Sequence, residues 1–78
     1  MRWHVFLFSG LNCEKAKSIL YLNTEYTHLI NASTGTYRYQ DGKHYELLTL
    51  SFLDIYNSDV ALALKELFRT IDYEYLML

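Results

Sequence analysis

Hydrophobic and polar positions follow two different rhythms along this chain. Residues 2–9 run through β-branched, aromatic and aliphatic types with polar interruptions only at the start, the pattern of a strand shielded on both faces and therefore inside a sheet. Ser9-Gly10-Leu11-Asn12 then reads as a turn, with Asn12 placed to cap a helix and Glu14 favourably charged in its first turn. Over residues 13–22, Ala16, Ile19 and Leu20 form a helical stripe that Asn23-Thr24 ends. Residues 25–32 fit two patterns. Tyr26, His28 and Ile30 alternate with Thr27 and Leu29 as in a strand, with a turn over 32–35, while a single bent strand over 26–40 satisfies the same residues.

The strongest local signal is Asp41-Gly42 between residues 36–40 and 43–53, a dipeptide suited to a two-residue type I′ hairpin loop in which both central residues take φ > 0. That loop pairs Gln40 with Lys43, Tyr39 with His44, Arg38 with Tyr45 and Tyr37 with Glu46. It puts Tyr37, Tyr39, Leu48, Leu50 and Phe52 on the core face, and Thr36, Arg38, Tyr45, Leu47, Thr49 and Ser51 on the other. Asn57-Ser58-Asp59 offers a cap, most simply Ser58, for a helix to about residue 70. Val60, Leu64, Leu67, Phe68 and Ile71 make its apolar stripe. Residues 73–78 predict a last strand whose end is packed.

The order β-α-β-β-(β)-α-β predicts an α+β fold: a small ferredoxin-like sandwich with two helices on one face of a mostly antiparallel four- or five-stranded sheet. Seventy-eight residues, 51% of them hydrophobic, hold one core, so residues 1–78 are read as a single domain. With Cys13 the one cysteine, no intrachain disulfide forms and a cysteine-rich zinc site is excluded, which suits a reducing cytoplasm. The apolar runs are too short for a signal peptide or a membrane span. Seven Lys and Arg against nine Asp and Glu leave neither the basic footprint of a nucleic-acid binder nor the dense acidity of a nucleic-acid mimic.

Chemistry-bearing residues are sparse. His4, His28 and His44 have no short ligand spacing, although His4 and His28 on neighbouring strands would share a face. Cys13 near a helix N-terminus gains in thiolate character, yet no base partner accompanies it. The Ser9-Gly10-Leu11-Asn12 turn lacks a P-loop lysine and Rossmann spacing. No carboxylates are spaced for acid and base work. The expectation is a protein that is not an enzyme and holds no cofactor or metal.

What stands out is eight tyrosines, with Tyr37, Tyr39, Tyr45, Tyr73 and Tyr75 concentrated in the hairpin and last strand. Tyrosine combines apolar area with a polar tip at low entropy cost and is enriched at protein interfaces, although it is also a good strand former. The sequence therefore points to a protein-binding module, with Tyr37, Arg38, Tyr39, Lys43 and Tyr45 as the contact residues. Its most economical form is a viral or mobile-element inhibitor, a phage protein of anti-CRISPR type, occluding a host complex such as a defence nuclease. A second expectation is a single-stranded nucleic-acid-binding sheet, with His4, Phe6 and Tyr45 on an open face beside Arg38, Lys43 and His44. A third is a small-molecule-binding regulatory domain. An exposed edge over 34–40, protected by neither proline nor many lysines, also leaves a homodimer open.

Overall fold

The computed structural model describes residues 2–23, 25–54 and 58–78, with the main chain alone at Ser58. Among these, strand β1 (Trp3–Ser9) leads into helix α1 (Leu11–Tyr21), a 3-10 turn (Thr27–Leu29), strands β2 (Asn31–Arg38) and β3 (His44–Leu53), helix α2 (Ser58–Leu67) and strand β4 (Glu74–Met77). The four strands form one sheet in the order β2-β3-β1-β4, with every neighbouring pair antiparallel. This is the expected α+β fold with the ferredoxin-like element order. The segment that fitted two patterns resolves into a 3-10 turn followed by one strand.

The core is a single side of this sheet. Phe6 and Phe8 of β1 and Leu48, Leu50 and Phe52 of β3 gather with Cys13 and Ala16 of α1 and with Ala61, Leu64 and Phe68 from and just beyond α2. Period-two alternation put the β3 residues there correctly, and period-four spacing did the same for Ala16, Leu64 and Phe68. Strand β1 is central, as its apolar run implied, but the helices cover only the side carrying His4, Phe6 and Phe8.

Helix α1 begins two residues earlier than its sequence suggested. Gly10 takes φ 60° and ψ −133°, no side chain caps the helix, and the Cys13 amide donates to the Gly10 carbonyl at 3.1 Å. A backbone conformation open to glycine replaces the side-chain cap expected of Asn12, which lies inside the first turn. The expected cap at Asn57 and the Ser58 side chain lies outside the described residues, as does Thr24. At the other end, main-chain bonds of 2.8 and 2.9 Å tie Leu78 to Trp3, while the Leu78 side chain is exposed rather than packed.

The hairpin register differs by one residue from the sequence expectation. The observed partners are Arg38 with His44, Tyr37 with Tyr45 and Thr36 with Glu46. The loop is three residues long: the Gly42 amide donates to the Tyr39 carbonyl and the Tyr39 amide to the Lys43 carbonyl, both at 3.0 Å. Gly42 takes φ 84°, and no described residue other than glycine has positive φ. A type I′ loop would force Asp41 into the left-handed region. The three-residue loop asks this only of glycine and lets Asp41 accept the Lys43 amide at 2.9 Å through Oδ1,. Because side chains alternate, the slip turns Tyr37 to the side opposite Leu48, Leu50 and Phe52, so it is not a core-face residue.

Candidate functional site

The register places three hairpin tyrosines together on the uncovered face. Tyr37 and Tyr45, direct partners across β2 and β3, stack with ring centres 5.6 Å apart, and Tyr39 meets both edge-on at 5.1 and 5.0 Å. The Tyr45 hydroxyl donates to Asp41 Oδ2 at 3.3 Å, which ties the cluster to the loop. Tyr39 remains 55% exposed. Burial and a hydrogen bond with Tyr39 push the Tyr37 hydroxyl above its ordinary value, while a hydrogen bond with Ser9 pulls the other way.

Beside these rings lies an open cleft of about 490 Å³. Leu7 and Leu47 supply apolar surface, and Tyr37, Tyr39 and Tyr73 supply rings. Its polar rim is Ser9, Asn12, Asp72 and Glu74. No lysine or arginine lines it, and neither carboxylate joins an ion pair among the described residues. The sheet explains the convergence, since Leu7 pairs with Glu74 and Ser9 with Leu47. The apolar surface continues along the same face through Trp3 and Leu76, 38% and 42% exposed, on either side of a buried Val5.

Of the five residues chosen from sequence, the structure brings together Tyr37, Tyr39 and Tyr45. Arg38 lies on the opposite side of β2, beside His44, and Lys43 stands across from Tyr39 at the end of the hairpin but does not line the cleft. Asp72 and Glu74 were missed because only the pairing of β4 with β1 carries them to the hairpin tyrosines. Tyr75 faces the other way, 5.1 Å from Phe6. Tyr73 does both, lining the cleft while its ring touches Phe6 and Phe8 at 5.3 and 5.7 Å.

His4 and Phe6 lie on the core side, not on an open face as the nucleic-acid reading required. His4 is 1% exposed, stacked on Phe52 at 4.8 Å, and shares a 2.6 Å hydrogen bond with the Tyr75 hydroxyl through Nδ1. Its Nε2 lies 3.3 Å from Asp54 Oδ1, within ion-pair distance but not aligned as a hydrogen bond. His28 belongs to the 3-10 turn rather than to a strand beside His4. Among the described residues no three histidine, cysteine or acidic side chains gather as metal ligands do. Burial raises the Cys13 thiol, with Glu46 adding to the effect, so desolvation outweighs the helix terminus and the group is a buried thiol donating to the Phe8 carbonyl at 3.3 Å,.

Compared with protein-family models, with curated proteins and with solved structures, the chain matches none. Among the described residues no helix is long and apolar enough to cross a membrane.

Proposed function

We propose that this protein is a protein-binding module that engages its partner through the open sheet face, with the tyrosine-lined cleft as the centre of contact. The observation carrying this reading is the cleft itself. An antiparallel sheet normally turns a polar face to water; here that face presents Trp3, Leu7, Leu47 and Leu76 beside three clustered tyrosines, the composition of an interface core. Two carboxylates, neither in an ion pair among the described residues, flank these rings. A guanidinium fits such a setting well, because it stacks on aromatic faces, forks onto carboxylates and sheds water more readily than an ammonium. The favoured contact is an arginine side chain of the partner protein.

The mode of action we propose is steric occlusion, with the small domain covering a surface that a host complex needs, as an inhibitor of viral or mobile-element origin acting in the host cytoplasm would. The nucleic-acid alternative is less well supported, since Arg38 and His44 share the face opposite Tyr37 and Tyr45 and the cleft carries acids.

The test is to capture the partner with the tagged protein from its native host before and after nuclease treatment, comparing wild type with Tyr39→Ala and with the Asp72→Asn, Glu74→Gln double variant. Stoichiometric protein recovered by wild type and lost by Tyr39→Ala is expected, with weaker recovery by the double variant. Recovery of nucleic acid alone contradicts the reading. Equal recovery by all three shows that the surface is wrong, and loss only with Tyr39→Ala removes the arginine contact but not the interface.

A further inference from the structure

Strand β2 is an edge strand with neither side covered, and its glycine has no explanation within the chain. Seven of its eight residues are exposed, because the helices sit over β1 and β3. Gly35 lacks a positive φ, and a Cβ built on it would meet nothing within 4 Å. A glycine inside a strand weakens it, since it loses more backbone freedom than other residues and has no side chain to pack. One reason to keep it is the close approach of another backbone.

The hydrogen-bond alternation shows where that backbone would come. The Tyr39 amide donates to the Lys43 carbonyl, so Tyr37, Gly35, Ser33 and Asn31 are the β2 residues bonded to β3. Ala32, Thr34, Thr36 and Arg38 then direct their amides and carbonyls outward, along an edge free of proline, lysine or any bulge that would blunt it. These four are spaced evenly about Gly35.

We propose that β2 pairs antiparallel with β2 of a second copy of this chain, with the twofold axis passing through Gly35. In that register Thr34 bonds with Thr36 of the other copy and Ala32 with Arg38, so every outward amide and carbonyl of the strand is used. Gly35 faces Gly35 in the closely spaced, non-hydrogen-bonded pair, where side chains crowd most. No like charges meet, since Arg38 lies opposite alanine. The two sheets join into one of eight strands, and both tyrosine clusters lie on the same open face, one to each side of the axis. A partner with two matching sites would then be held by two clefts at once.

Sedimentation equilibrium of the whole chain, wild type against Gly35→Val and Thr34→Pro, tests this. The expected result is a wild-type dimer that both variants convert to monomer with unchanged far-ultraviolet circular dichroism. Valine places a branched side chain on the axis yet meets open space within its own chain, and proline at residue 34 removes an outward amide that β3 does not use. Should Thr34→Pro unfold, Gly35→Val decides alone. A wild-type monomer at high micromolar concentration overturns the proposal, and so does a dimer that survives both substitutions, which would place the contact on another surface.

Discussion

Two groups of aromatic rings lie on opposite sides of the same sheet, and their ring geometry is nearly interchangeable. Phe68 contacts both Phe6 and Phe8, and all three contact Tyr73, at centroid distances of 4.9–6.3 Å. Tyr37, Tyr39 and Tyr45 contact one another at 5.0–5.6 Å. The first group is roofed by α2 and its three phenylalanines are fully buried; among the described residues no helix lies above the second. Ring packing therefore does not distinguish a core from a contact surface. What distinguishes them is whether another element covers the rings, and the functional reading rests on that difference.

The largest effect expected belongs to the covered group. Phe8→Ala removes a buried ring whose neighbours from two elements cannot close the gap, and should cost about 3–5 kcal/mol in urea unfolding. For a domain of this size that leaves little of the native state populated. A loss under 1 kcal/mol would mean that the helix-covered side is not the core.

Next comes the polar insertion at the margin of that core. Tyr75→Phe leaves His4 Nδ1 buried without its partner, a loss of about 1–3 kcal/mol. The same substitution carries a pH signature. Burial, reinforced by Asp54, raises the Tyr75 hydroxyl above its ordinary 10.0. A group whose folded value is raised stabilises fully below the unfolded value, and that contribution disappears as pH rises through the folded one. Stability should thus fall above about pH 10, and more shallowly in Tyr75→Phe. Tyr37 and Cys13 shift in the same direction, so some alkaline loss persists in the variant. Identical alkaline limbs would show that Tyr75 ionises as freely in the fold as in water.

A smaller effect tests the register that separates the two groups. Gly42→Ala meets only Arg38 Nη2 at 3.8 Å but must hold φ 84°, which costs about 1–2 kcal/mol. The pairing itself is visible in solution, because close Hα–Hα contacts mark non-hydrogen-bonded antiparallel pairs. An Arg38–His44 contact is expected. A Tyr39–His44 contact in its place would restore the two-residue loop and turn Tyr37 toward the core.

Much of the fold was legible because burial leaves a period in the sequence. The alternation of Leu48, Leu50 and Phe52 and the stripe of Leu64, Leu67 and Phe68 identified the core-facing positions of β3 and α2 without knowledge of their neighbours. What failed depended on a single dihedral. Asp41-Gly42 supports a two- or three-residue loop, and the choice hangs on whether Asp41 takes positive φ; that one degree of freedom decides the face of every β2 side chain. The start of α1 was misjudged for a similar reason, since Gly10 replaces a side-chain cap with main-chain geometry. At the site, tyrosine content pointed to the hairpin, but Asp72 and Glu74 reach it only through the β1 and β4 pairing, which no local pattern encodes. Arg38 and Tyr37 are neighbours in sequence and face opposite ways.

The smallest effect on stability and the most direct test of the account belong to the uncovered group. The decisive measurement is the partner affinity of Tyr39→Ala set against its own unfolding free energy. The account predicts a stability change within about 0.5 kcal/mol, as for an exposed side chain, and an affinity loss of about 1–2 kcal/mol or more, close to tenfold or beyond. Unchanged affinity, or a stability loss approaching that of Phe8→Ala, would mean that the tyrosines of the open face serve the fold rather than a partner.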